Sequence, residues 1–230
     1  KPLTPVMFVK TFGGSEMEYG RSVQQTTDDG YIITGKTWSF GNGNEDVWLL
    51  KTNSNGDSLW SKTFGGNTID KGYSVQQTTD GGYIITGYTW SFGNGNSDVW
   101  LIKTDSQGNE EWEKTFGNSY SNEGYSVQQT TDGGYIITGY YVAAGNIEDL
   151  WLIKTDPQGN EEWNQTFGGS EVDWGYSVQQ TTDDGYIITG KTRSFGNGNN
   201  DVWLIKTDPQ GEEEWNQTFG GSESDEGRSV

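Results

Sequence analysis

Residues 22–35 read SVQQTTDDGYIITG. The phrase returns as SVQQTTDGGYIITG at 74–87 and 126–139, and as SVQQTTDDGYIITG at 177–190. Around it each copy carries D(V/L)WL(I/L)KT, a Gly-containing turn, a Trp and then TFG(G/N). The TFG motif begins at Thr11, Thr63, Thr115, Thr166 and Thr218, at intervals of 52, 52, 51 and 52 residues. A period near fifty that holds several short strand patterns marks a radial or stacked β-array.

One unit divides into four strand patterns. Arg21–Thr27 is short, β-prone and polar, and Asp28-Asp29-Gly30 turns the chain. Tyr31–Gly35 and Asp46–Thr52 are apolar on both faces, as strands covered on both sides read. Asn55-Gly56 is a hairpin signal, and Leu59–Phe64 is the fourth strand. Four short antiparallel strands per unit match a β-propeller blade, with the polar SVQQTT strand innermost beside a channel. The units run 21–72, 73–124, 125–175 and 176–227. Residues 1–20 read as an orphan fourth strand (Val6–Phe12) plus a loop, and 228–230 as the start of a further first strand. A parallel β-helix is the alternative, but its strands recur at shorter intervals than this. The third unit is one residue short in the loop before its third strand, where YVAAGNIEDLW (141–151) replaces TWSFGNGNSDVW (89–100).

Composition narrows the function. The net charge of −19 with few aliphatic residues falls where disorder is common, but 11 Trp and 12 Tyr supply apolar area at fixed repeat positions. No Cys and no His occur. Thiol nucleophiles, disulfides, Cys/His zinc sites and His-based triads are thereby excluded. The acidity argues against nucleic acid and anionic membranes, which need a cationic patch. No apolar run is long enough for a membrane-spanning helix, so no membrane insertion is expected. A chain beginning with Lys reads as a mature or excised piece.

The run K-T-D-x-x-G-N-x-x-W, at Lys103–Trp112 and Lys154–Trp163, resembles the Trp-docking repeat of quinoprotein-type (PQQ-like) propellers. More loosely it resembles the Asp-box hairpin of sialidase-type propellers. The whole unit is similar to tandem repeats in large secreted or surface-displayed archaeal and bacterial propeller proteins. The resemblance covers essentially the whole chain and implies a propeller whose Trp residues pack between blades. It carries over no quinone-binding or catalytic residue. Arg21, Arg193 and Arg228 are the only arginines, and Arg21 and Arg228 occupy equivalent repeat positions, unlike a sialidase arginine triad.

Repetition within one chain separates scaffold from freedom. Trp48, Trp100, Trp151 and Trp203, and Trp60, Trp112, Trp163 and Trp215, are periodic and read as packing residues. Trp38, Trp90 and Trp174 are not. Trp38 and Trp90 align with Val142 and Arg193, and Trp174 aligns with Tyr19, Lys71, Glu123 and Glu226. In a propeller these positions share one rim. The candidate ligand-binding set is therefore Trp38, Trp90, Trp174, Tyr19, Lys71, Tyr141 and Arg193, with Glu16, Glu18, Asp70, Glu171, Asp173, Glu223 and Asp225 as acceptors. Aromatics with carboxylates suit a glycan or a protein partner.

The GNGNxD loops space oxygen side chains as in the first half of a calcium loop: Asn42, Asn44 and Asp46; Asn94, Asn96 and Asp98; Asn197, Asn199 and Asp201. The third unit keeps Asn146 and Asp149. Each loop has one clear carboxylate and no distal bidentate Glu, so calcium competes with a turn-forming role. No other cofactor is indicated. Two sequons, Asn164-Gln165-Thr166 and Asn216-Gln217-Thr218, are compatible with surface glycosylation. The chain reads as a noncatalytic binding or structural module. Its alternatives are an array subunit joined to other copies by strand exchange, or a glycan-processing or quinone-type enzyme domain.

Overall fold

The computed structural model describes residues 9–143, 145 and 147–230. These form sixteen strands in four antiparallel sheets, each ordered first to fourth along the chain, and no helix. The first sheet holds β1 (Glu18–Gln25), β2 (Tyr31–Thr37), β3 (Asp46–Thr52) and β4 (Ser58–Phe64). The second holds β5 (Asp70–Gln77), β6 (Tyr83–Thr89), β7 (Asp98–Thr104) and β8 (Glu110–Phe116). The third holds β9 (Glu123–Gln129), β10 (Tyr135–Val142), β11 (Glu148–Thr155) and β12 (Glu161–Phe167). The fourth holds β13 (Asp173–Gln180), β14 (Tyr186–Thr192), β15 (Asp201–Thr207) and β16 (Glu213–Phe219).

The expected orphan strand begins outside the described residues, and Val9–Phe12 joins no strand ladder. Thr11, Phe12 and Gly13 instead lie along Phe40, Trp48 and Leu50 of the first sheet. Arg228–Val230 likewise carries no ladder, yet its Val230 amide donates to Ser177 Oγ at 3.2 Å. Val75, Val127 and Val178 make the same contact to Ser22, Ser74 and Ser126.

The first turn explains one ambiguity in the repeat. Gly81 and Gly133 adopt φ +86°, and Asp29 and Asp184 take φ +64° at the same place. Asp is among the few side chains that tolerate this left-handed region, so the repeat alternates between D-D-G and D-G-G there.

The apolar core lies between successive sheets. Ile32, Val47, Leu49 and Phe64 face Val75, Tyr83, Ile85 and Trp100 across the first junction, and equivalent sets fill the next two. That is why both middle strands read as continuous apolar runs. The fourth-strand Trp reaches forward. Trp60, Trp112 and Trp163 meet Tyr83, Tyr135 and Tyr186 of the following sheet edge-on, each with centroids 5.8 Å apart. Each of these indoles also covers the hairpin glycine of that sheet. A Cβ on Gly108, Gly159 or Gly211 would come within 2.5–2.6 Å of the ring. Trp215, with no described sheet beyond it, stays 43% exposed.

The four first strands line up beside one another. The Gln77, Gln129 and Gln180 amides each donate to the side-chain Oε1 of Gln24, Gln76 and Gln128 in the preceding sheet, all at 2.6 Å. Val23, Val75, Val127, Val178 and Val230 surround a common space of about 360 Å³. Ser and Gln occur in these strands because they bridge from sheet to sheet as well as meeting water.

Candidate functional site

Each first strand carries one extra residue. Gly20 pairs Gly35 and Ser22 pairs Thr34, which skips Arg21. The same register shift skips Tyr73, Tyr125 and Tyr176 in the next three sheets. A β-bulge of this kind re-aims the unpaired side chain. It also brings backbones close. A Cβ on Gly35, Gly87, Gly139 or Gly190 would stand 1.7–1.8 Å from the carbonyl oxygen of Tyr19, Lys71, Glu123 or Trp174. The invariant Gly that ends SVQQTTD(D/G)GYIITG is therefore a condition of the bulge.

The bulge residues converge. Arg21, Tyr73, Tyr125 and Tyr176, joined by Trp174 and Arg228, line one open cavity of about 320 Å³. Its aromatic rings form a continuous surface. Tyr125 lies 5.1 Å from Tyr73 and 5.6 Å from Tyr176, centroid to centroid. Trp174 stands 6.0 Å from both Tyr125 and Tyr176, and stacks on Tyr140 at 5.2 Å with 19° between planes. Cations border the rings. The Arg21 guanidinium is 5.3 Å from the Tyr73 centroid, Arg228 is 4.0 Å from Tyr176, and Lys191 is 3.8 Å from Trp174.

Carboxylates hold the rings in place from behind. The Trp174 indole N–H donates to Glu148 at 2.7 Å, and the Tyr125 hydroxyl donates to Glu123 at 3.1 Å. Burial pushes the Glu123 carboxyl above the usual carboxylate range. The Tyr125 and Tyr140 hydroxyls and Lys71 oppose the rise, and Glu148 adds to it. Burial also raises the phenols, Tyr73 and Tyr125 steeply and Tyr176 to about 12. At neutral pH the phenols of the cup are therefore uncharged, and their flat faces are flanked by two guanidinium groups.

The residues singled out by sequence divide among several places. Trp174 lines the cup. Lys71 stands beside it, 5.4 Å from the Tyr88 centroid and 2.9 Å from Glu45, which Lys36 also pairs at 2.6 Å. Tyr19 and Trp38 share Lys36, at 4.8 and 5.4 Å from their rings. Trp38 also borders a separate space with Asn44, Glu45 and Ile69. Trp90 and Arg193 are exposed loop residues, tied by their own amides to Ile69 and Val172. Tyr141 packs inward, 5.0 Å from Trp151. Phe40, Phe92 and Phe195 cover the matching Trp in the other sheets, so Tyr141 replaces the Phe that the shortened loop lacks.

Sequence reasoning overlooked Tyr73, Tyr125 and Tyr176 as site residues, and met Arg21 and Arg228 only as repeat equivalents. A signal was present: an isolated Gly inside a strand marks a bulge or a close backbone approach. Position 21 is also the place in the first strand where the repeat alternates between Arg and Tyr.

The GNGNxD loops behave as clamps. Asp46, Asp98 and Asp201 each accept a loop amide through Oδ2, from Asn42, Asn94 and Asn197 at 2.6–2.8 Å. Asn42, Asn44, Asn94, Asn96, Asn197 and Asn199 are exposed, and Asn146 lies outside the described residues. No group of three or more His, Cys, Asp or Glu side chains converges on a metal-sized point among the described residues. In this geometry the loop aspartates act as clamps on their own loop amides.

No protein-family model matches the chain, and comparison with curated proteins finds no significant match. The functional reading therefore rests on the site itself.

Proposed function

We propose that the four sheets are successive blades of a β-propeller, and that this propeller is a noncatalytic binding module of a secreted or cell-surface protein. Its ligand is a glycan, seated in the cup of Tyr73, Tyr125, Tyr176 and Trp174. The cup carries the reading: Tyr73, Tyr125 and Trp174, half-buried, and Tyr176, buried beside them, line one open cavity over a scaffold that is otherwise constant from sheet to sheet. Large flat rings cover the C–H faces of a sugar, while Glu148 and Glu123 hold the Trp174 indole and the Tyr125 hydroxyl in place. The departures from repeat symmetry gather here. Trp174 stands where the other units have Tyr, Lys or Glu. The propeller reading is supported by the forward-docking Trp residues, the inter-sheet apolar clusters and the shared space at the first strands. The acidic, cysteine-free surface and the two sequons fit an extracellular setting.

A glycan array followed by calorimetry tests the reading. Trp174→Ala is expected to weaken binding by about tenfold or more, as loss of a central aromatic anchor does. Trp90→Ala, outside the cup, is expected to leave binding unchanged. Equal loss in both variants, or binding indifferent to Trp174, sinks the assignment of the cup.

A further inference from the structure

We propose that the cup selects an acidic sugar, a pyranose ring bearing a carboxylate such as a uronate, and that Arg21 is its principal anion anchor. The inference rests on the glycan reading above and adds the charge class of the ligand.

The repeat itself supplies the contrast. The bulge position is Tyr in three units and Arg at Arg21 and Arg228, so arginine stands at both ends of an arc of three tyrosines. The chain has only three arginines, and two of them are here. In a chain of net charge −19, a random surface position meets a negative field, which repels anions. At the cup three cations, Arg21, Arg228 and Lys191, lie against the rings of Tyr73, Tyr176 and Trp174, with Glu226 pairing the last two cations.

The two arginines are not equivalent. Arg228 already pairs Glu226, which also lies 3.5 Å from Lys191. Among the described residues Arg21 has no carboxylate partner and no side-chain hydrogen bond, and it is exposed. Its guanidinium lies over Tyr73, which orients the planar fork without consuming its N–H donors. A carboxylate accepts two parallel N–H bonds from such a fork, whereas a neutral hydroxymethyl group offers one weaker acceptor. Glu123 is bonded to the Tyr125 hydroxyl and Glu226 to Arg228, which leaves Arg21 as the cup guanidinium with no carboxylate beside it among the described residues.

The probes are galacturonate oligosaccharides and the same oligosaccharides with their carboxyl groups chemically reduced, titrated into the full chain by calorimetry. The acidic form is expected to bind about tenfold or more tighter, with affinity that falls as salt is added. Arg21→Tyr installs the residue that three other units already carry, so the fold is retained, and it is expected to erase that preference. Arg228→Tyr is expected to have the smaller effect. Equal binding of acidic and reduced forms, still lost in Trp174→Ala, overturns the acidic-ligand inference and leaves the glycan reading standing. A preference that survives Arg21→Tyr overturns the role of Arg21. Binding of neither form, or of neutral glycans outside the cup, overturns the inference together with the reading beneath it.

Discussion

At the residue scale the most informative atoms are four bare carboxylate oxygens. Among the described residues, Oδ1 of Asp46, Asp98, Asp149 and Asp201 is buried without a hydrogen-bond partner, although Oδ2 of Asp46, Asp98 and Asp201 clamps its loop. Close to Asp46 Oδ1 lies Asp70 Oδ2 from the next sheet; the two are 1.8 and 2.9 Å from the point where a Gly65 Cβ would sit. Asp70 accepts from the Gly66 amide and from the Thr89 and Ser91 hydroxyls, whereas Oδ1 of Asp46 has no donor among the described residues. Asp98 faces Asn122 Nδ2 instead, a donor at the same spot. Burial, opposed by the Asn42 amide and reinforced by Asp70, raises the Asp46 carboxyl above its ordinary value. A raised carboxyl contributes its full stability below the unfolded value and loses it as pH rises through the folded one. Asp46→Asn keeps the clamp and presents an N–H towards Asp70. It is therefore expected to raise Tm by a few degrees at pH 7, on the order of one hydrogen bond or about 1 kcal/mol. At pH 3.5 the gain is expected to shrink towards zero. Thermal melts at the two pH values check this, and an equal change at both contradicts it.

At the element scale the bulge governs the site. Pairing of the first two strands of each sheet is interrupted at one residue, and the facing Gly makes room for the interruption. Gly87→Ala places a Cβ 1.7 Å from the Lys71 carbonyl oxygen, a backbone atom that cannot rotate away. The expected cost is about 3 kcal/mol or more, in the range of severe core and backbone lesions. The displaced Tyr73 should also loosen the cup. Denaturant unfolding measures the first effect, and a weakened glycan titration in the folded fraction measures the second. A mild variant with unaltered binding argues that the bulge can move without consequence. Legibility in the sequence varied by element. The middle strands were plain from their apolar runs, and the first strand was read as one regular polar segment. A bulge leaves the residue types unchanged and alters only which partner each one faces, so Arg21 and Tyr73 carried no periodicity of their own. The contact of Tyr141 with Trp151 is equally illegible: the loop deletion is visible in sequence, but the ring it packs on is known only through packing.

At the scale of the whole molecule, each sheet leans on the one before it. Apolar clusters bridge the three junctions, and the Gln side chains of the first strands add a hydrogen bond across each. Stability in such an array is close to a sum over units and their nearest neighbours. Gln76→Ala removes the acceptor for the Gln129 amide and is expected to cost about 1–2 kcal/mol. Hydrogen exchange should speed most in β9 and β5, with β1 and β2 little changed. Uniform acceleration throughout the chain would point to a single cooperative unit.

The sequence by itself determined the all-β class, the four-strand unit and its period, the packing role of the periodic Trp residues and the exclusion of Cys and His chemistry. These follow from local pattern: strand periodicity, turn residues and repetition are all written in short windows. Only the tertiary structure decided where the cup lies and which residues form it. Arg21 and Arg228 are separated by nearly the whole chain, and they meet at one cavity: four bulges turn Arg21, Tyr73, Tyr125 and Tyr176 the same way, and the segment after the last strand brings Arg228 against Tyr176. That convergence depends on the register of each sheet and its placement beside the next. The placement is set by contacts between residues about fifty positions apart, as in the Gln24–Gln77 bond, and the bulge in the register changes no residue type, so both lie beyond the reach of any local pattern.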